Sequence, residues 1–363
     1  MPERALARIS DGAVQRNCER LRSLLGASTE LCAVMKADGY GHGAVESARA
    51  ALRGGATTLA VAAAGEAAAL RDAGIEERIL VMGALDHPGT ALEANADVAV
   101  WDLEFLRAIA PRRPRVHVKL DTGMGRLGIK DIAEANAIVD EAAADERVEL
   151  AAVMTHFATA DEVGDDHFGD QLARFTEFVA SVRERHGDVA AHAANSAATI
   201  RDPESHFDMV RCGVAVYGLD PFQRDPDAQG LEPALELSSY VAAVKRFEPG
   251  ESAGYGRRWT AEEPRMVGVL PIGYGDGWRR ALSNNCEVLI GGIRRPLVGT
   301  VSMDNVTVDL GPETEVAVGD DAVLIGRQGG ERILCEEVAT RLGTINYEVT
   351  CGLSQRVVRE HRD

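Results

Sequence analysis

Through the first 217 residues, short apolar runs alternate with amphipathic or alanine-rich stretches. The runs cover 31–35, 58–62, 79–82, 96–100, 116–120, 150–154, 189–193 and 209–217. Apolar runs of this length, bounded by turn residues, read as strands buried on both faces. Helical spacing occupies the gaps, over 44–52, 65–73, 103–110, 130–144 and 171–185. Residues 11–25 are a further helix candidate, with Val14, Cys18, Leu21, Leu24 and Leu25 on one face, and 4–10 a weak strand before it. Strand–helix alternation predicts a parallel sheet with right-handed crossovers. Eight units of about 25 residues predict an α/β fold of the (β/α)8 TIM-type barrel kind rather than an open doubly wound sheet.

After residue 220 the texture changes. Pro221, Pro226 and Gly230, with several acids, predict a linker. Beyond it the runs 237–244, 266–271, 286–290, 295–301, 306–310 and 321–325 are short and split by Gly and Pro, with one helix over 335–342. This pattern predicts a mostly β C-terminal domain. The expected organisation is an N-terminal strand over 1–9 joining that domain, a barrel over 10–228, and the β-rich domain over 229–363.

Composition narrows the function class. The net charge of −18 leaves no basic face for nucleic acid or an anionic membrane surface. No apolar stretch reaches the roughly 18–20 residues of a spanning helix, and the start Met1-Pro2-Glu3-Arg4 has no signal-peptide core, so the expected location is the cytoplasm. The six cysteines show no CxxC spacing and the nine histidines no HExxH, so no disulfide framework or metal is expected.

Candidate chemistry gathers at 31–43, where a buried strand ends on Lys36 and enters a glycine-rich turn. Burial favours a neutral lysine, and a neutral amine is a Schiff-base nucleophile. The same stretch, Gly39-x-Gly41-x-x-Ala44, also fits a dinucleotide loop, with Glu66 placed as a ribose-binding acid. A solvated lysine beside a tight turn is the third reading. In a barrel, the residues after each strand share one mouth. Those positions give Lys36 and Tyr40, then 119–126 with Lys119 and Arg126, then His156, Ser196, and Arg211 with Gly213 and Val214. The loops after strands seven and eight are a barrel's usual phosphate site. Here they supply the Ser196 hydroxyl and the Gly213 and Val214 amides, which suits a phosphorylated aldehyde better than a dinucleotide.

At this point 33–43, 119–126, 155–158, 192–196, 210–213, 254–256, 273–277 and 302–304 together resemble, in order, the motif blocks of the alanine racemase family. The resemblance covers about residues 4–359. It implies pyridoxal 5'-phosphate (PLP) held on Lys36, and a small amino-acid substrate, alanine first. It implies two bases on opposite faces of Cα: Lys36 for the D-isomer and Tyr255 for the L-isomer. A tyrosine has a pKa near 10, so its phenolate needs stabilising. The family points to His156, chained to Arg211, and Arg211 faces the pyridine nitrogen. An arginine keeps its proton, so the electron sink stays weak and stray protonation of the cofactor is limited. Tyr40, Ser196, Gly213, Val214 and Tyr347 match phosphate positions. Arg126 and Met303 match substrate-carboxylate contacts, and Tyr274 matches the entrance. Lys119 matches a lysine that several relatives carry as a carbamate. The family also implies a homodimer with shared sites and D-alanine supply for peptidoglycan.

Departures from the family pattern fall at Thr300 and Ser302, at Gly254 with Arg257 and Arg258, and at Cys212. They put substrate range in question, with serine or a broader amino-acid range as the alternative. A decarboxylase of similar architecture and a non-catalytic PLP-binding homeostasis protein are the other readings. Tyr255 and the Arg211 block speak against the decarboxylase, and the second domain with Tyr255 against the homeostasis protein.

Overall fold

The structure is a computed structural model that describes residues 3–85 and 87–363. Met1 and Pro2, the start of the expected N-terminal segment, lie outside the described residues. The chain divides into two compact units. One holds residues 14–40 and 44–216; the other holds the N-terminus up to Ala13, Gly41–Gly43 and Tyr217–Asp363.

After β1 (Leu6–Ser10), eight strands form the first unit: β2 (Glu30–Val34), β3 (Thr58–Val61), β4 (Arg78–Val81), β5 (Asp97–Val100), β6 (Arg115–Lys119), β7 (Glu149–Met154), β8 (Ala190–His192) and β9 (Met209–Cys212). They close a parallel barrel in chain order, with β9 pairing back to β2. β3 and β5 are buried along their whole length, which is why the runs carry no polar alternation. Each crossover carries a helix. In His167–His186, Phe168, Leu172, Phe175, Val179 and Val182 form one buried stripe at helical spacing. Burying a phenylalanine such as Phe175 contributes about 1.5–3 kcal/mol.

Several elements differ from the sequence expectation. A six-residue helix, Pro88–Glu93, fills the third crossover of the barrel, between β4 and β5; it is too short to show a period and is started by the proline at its first turn. A further six-residue helix, Ser196–Arg201, lies in the last crossover. The run 209–217 stops as a strand at Cys212 and turns into a 3-10 helix, Val214–Tyr217. Ser196 Oγ, accepting from the amides of Gly213 (2.9 Å) and Ala215 (3.4 Å), draws the chain out of the sheet.

The second unit carries β10 (Leu235–Tyr240), β11 (Ala243–Phe247), β12 (Arg265–Leu270), β13 (Glu287–Ile290), β14 (Ile293–Val298), β15 (Val306–Gly311), β16 (Asp321–Gln328), β17 (Glu331–Ile333) and β18 (Val358–Arg362). The path is β11-β12-β15-β14-β13-β16-β10-β1-β18, with β17 on β16. β1 lies antiparallel to β10 and parallel to β18. The expected single strand 237–244 is two strands: the Val241 amide bonds Asp320 O and the next amide, of Ala242, bonds Val269 O. One apolar run therefore serves two neighbours. The proline-rich stretch after 220 is an ordered part of this unit. Asp220 is fully buried and accepts from the amides of Phe222 (3.1 Å) and Arg224 (2.9 Å). Among the described residues, no helix is long and apolar enough to cross a membrane.

Candidate active site

Lys36 follows β2 with one residue, Met35, between, and starts a left-handed turn. Ala37, Asp38 and Tyr40 take φ of 53°, 52° and 54°, with Gly39 at 62°. Each non-glycine residue there costs about 1–2 kcal/mol. The turn is held by the amide of Gly39 to Met35 O (2.9 Å), of Ala37 to Glu66 Oε1 (2.7 Å) and of Ala44 to Asp38 Oδ1 (2.8 Å). Glu66 Oε2 also accepts from the amides of Ala62 (2.8 Å) and Ala63 (3.1 Å). Its carboxylate is thus committed to backbone on both sides, which removes the ribose-binding reading. The turn presents a half-buried Lys36 with its Nζ 5.8 Å from the Tyr40 ring centre.

Tyr40 is buried, and its hydroxyl lies where a Cβ on Gly213 would sit. Ser196 bonds the Gly213 amide, so Tyr40, Ser196, Gly213 and Val214 form one cluster. Gly213→Ala is expected to displace Tyr40, lower stability by about 1–3 kcal/mol and weaken phosphate-ester binding; a thermal melt and a PLP titration check this.

Arg211, near the end of β9, is 3% exposed. It donates to Thr155 O (2.7 Å), Ala193 O (3.1 Å), His192 Nδ1 (2.7 Å) and His156 Nδ1 (3.2 Å). Burial lowers its pKa to about 10, still far above neutrality, so it stays charged. Burial, then the charges of Arg211, Arg126, Lys119 and Lys36, push the His156 pKa well below its usual value. A neutral His156 that accepts at Nδ1 carries its proton on Nε2 and can donate there. Gln171, fully buried, holds this segment by donating to His156 O (3.1 Å) and accepting from the Ala158 amide (2.8 Å). No sequence signal marked Gln171, which sits among the core residues of its helix.

Lys119 ends β6 and is buried. Burial, then Arg211 and Arg126, lower its pKa to about 8. Asp121 shapes the following loop by accepting from the amides of Gly123 (3.0 Å) and Gly125 (3.0 Å). That loop carries the exposed Arg126.

The remaining candidates lie in the second unit. Tyr255 is 74% exposed, Met303 51% and Tyr274 42%. The Tyr255 carbonyl accepts from Thr300 Oγ1 at 2.7 Å. Tyr274 and Met303 sit on loops joined by two backbone bonds, Tyr274 N to Ser302 O (3.0 Å) and Gly275 N to Met303 O (2.9 Å). Tyr347 is on the helix Asn346–Cys351, whose Thr350 carbonyl abuts Gly41 so closely that no side chain fits there.

Comparison with known proteins is consistent along the whole chain. Residues 9–221 match the family described as alanine racemase, N-terminal domain, and 234–361 match alanine racemase, C-terminal domain. An alanine racemase from Geobacillus stearothermophilus is 44% identical over 97% of this chain and 92% of its own. One from Symbiobacterium thermophilum is 43% identical over 97% and 96%. The crystal structure of alanine racemase from E. faecalis superposes with a TM-score of 0.94 at 38% identity, covering 99% of this chain and 98% of the other. That of a Bacillus anthracis alanine racemase with bound L-Ala-P gives 0.91 at 36%, covering 100% and 96%. The chain belongs to the alanine racemase family.

Proposed function

We propose that this chain interconverts L- and D-alanine with PLP as cofactor, using Lys36 and Tyr255 as its two bases. The observation that carries the reading is the convergence of Lys36, Tyr40, His156, Ser196, Arg211 and Gly213 in the barrel unit. The residues fit the cofactor. Lys36 would hold it covalently, and Gly213, by lacking a Cβ, lets the Tyr40 hydroxyl lie close to the Ser196 hydroxyl, a pair that would bind the phosphate. By the family pattern, the Val214 amide and Tyr347 would also contact the phosphate. When bound, PLP supplies an electron sink for the charge left at Cα once its proton departs.

The protein's own groups do the rest. Lys36 takes or returns the Cα proton on one face and Tyr255 on the other. The His156 Nε2 proton stabilises the Tyr255 oxygen, and Arg211 presents a donor to the ring nitrogen without surrendering its proton. Arg126 and the Met303 amide receive the substrate carboxylate, and Tyr274 lines the entrance. The exposed Tyr255, Tyr274 and Met303 are offered to the barrel of a second copy, giving a homodimer with shared sites. D-alanine made this way feeds peptidoglycan synthesis in the cytoplasm. Incubating the protein with L-alanine in D₂O, followed by chiral chromatography with mass detection, tests the reading. D-alanine carrying Cα deuterium is expected. No exchange with any small amino acid, in a protein that still binds PLP on Lys36, overturns it in favour of a non-catalytic PLP carrier. L-serine run in parallel reads the range allowed by the altered loop at Thr300.

Lys119 carries a carbamate in this reading. Its ammonium first loses a proton, and the neutral amine then adds CO₂ and releases a second, turning a cation beside Arg126 into an anion that holds it. A carbamate signal in ¹³C NMR with labelled bicarbonate, absent in Lys119→Met, is expected; electron density ending at a bare Nζ overturns it. Without CO₂, the sign of the pH effect is fixed. The folded pKa of about 8 lies below the ordinary 10.5, so between them the unfolded chain binds the proton more. Stability therefore rises from about pH 8 to about pH 10.5, and Lys119→Met flattens that rise in pH-dependent melts.

A further inference from the structure

Arg211 is a buried cation that, among the described residues, has no carboxylate beside it: its partners are two carbonyls and two imidazoles. A buried, uncompensated charge is costly. The hydrogen bonds lead on from it. His192 Nε2 lies 2.7 Å from His117 Nδ1, and His117 Nε2 lies 3.1 Å from Asp97 Oδ2. His192, His117 and Asp97 are 1%, 5% and 4% exposed. They come from β8, β6 and the first residue of β5, so one chain of contacts runs through the barrel from the start of β5 to Arg211.

The direction of that chain is determined. A guanidinium only donates, so His192 Nδ1 must be bare. Burial, then Arg211, push the His192 pKa well below its usual value, so the ring is neutral and carries its proton on Nε2. That proton goes to His117 Nδ1, and His117 in turn donates from Nε2 to Asp97. Burial alone would raise the Asp97 carboxyl, yet the hydrogen bond from His117 and the charges of Arg115 and Arg78 hold it below its usual value, so it is an anion. Every donor meets an acceptor, and the single negative end is Asp97.

We propose that Asp97, His117 and His192 are positioning residues: a one-way hydrogen-bond relay that delivers the counter-charge of Asp97 to Arg211 and fixes the guanidinium fork. The relay rests on the part given to Arg211 in the proposed function. Serial hydrogen bonds polarise one another, so the charge is felt two rings away. A purely structural role for the same residues predicts a different response from two variants. Arg115 Nε is the other partner of Asp97, at 3.1 Å, but lies outside the relay. Asp97→Asn keeps the shape and removes the charge; Arg115→Met removes a partner and leaves the relay intact.

The experiment is ¹H–¹⁵N long-range NMR of histidine-labelled, cofactor-free protein, with signals assigned through His117→Phe and His192→Phe, beside steady-state kinetics of the PLP-loaded enzyme. Both rings are expected as Nε2–H tautomers. Asp97→Asn is expected to move the Nε2–H resonances of both rings and to lower kcat about 10- to 100-fold, with the KM for alanine within about twofold; Arg115→Met is expected to leave the His192 signal and kcat unchanged. A proton found on His192 Nδ1, or an Asp97→Asn variant with an unmoved His192 signal and wild-type kcat, overturns the relay. A wild-type protein that fails to racemise alanine defeats the proposed function instead, and the cofactor-free spectra still read the relay.

Discussion

Replacing Tyr255 by phenylalanine is expected to lower racemisation about 10³-fold while leaving the exchange of Cα hydrogen in D-alanine within about tenfold of wild type. A positioned general base contributes about 10²–10⁴ in rate, and here only one face loses its base. Lys36, in its proposed role, is expected still to remove the proton of the D-isomer and to return one from solvent on the same side. The effect is separable from stability because the Tyr255 side chain is 74% exposed and its loop is held through the backbone, by Thr300 Oγ1 on the Tyr255 carbonyl. Deuterium incorporation and chiral product ratio, measured on the same sample of each isomer, check the result. Equal loss of both exchanges would place Tyr255 outside the proton transfers, and an undiminished racemisation rate would remove it as a base.

The largest effect is expected from Lys36→Met: loss of racemisation by at least about 10⁴-fold, because the covalent hold and one base go together. The variant is also expected to stay colourless after exposure to PLP and dialysis, and borohydride is expected to leave no cofactor-bearing peptide. In the wild type the adduct is expected on Lys36. The fold should persist, because the left-handed turn after Lys36 is held by backbone amides on Glu66 and Asp38. An unchanged melting temperature with lost colour separates the chemistry from the turn. A borohydride adduct on another lysine would displace Lys36 from its role.

The barrel was legible because its strands are buried on both faces. Such strands read as unbroken apolar runs, and eight of them with helices between leave few topologies. The short helix at Pro88–Glu93 was not legible, because six residues do not complete two turns of a periodic pattern. Nor was the splitting of 237–244, since apolar residues look alike whichever strand they pair with. Glu66 shows the opposite error. Its position suited a ribose-binding acid, and only the folded turn reveals its oxygens filled by amides.

The amino-acid order alone determined the barrel and its β-rich companion, the strand-end location of Lys36, Arg211 and Ser196, and the family. These depend on local burial patterns and on motifs that are contiguous in the chain. The tertiary structure decided what depends on distant residues meeting: that Gly213 makes room for Tyr40, that His156 stays neutral among cations, and that Asp97, His117 and His192 line up behind Arg211. The physical reason is that a buried charge is compensated through space. The strands that supply the compensation lie as much as 114 residues from the arginine in sequence, and no local pattern of polar and apolar positions records that their side chains touch.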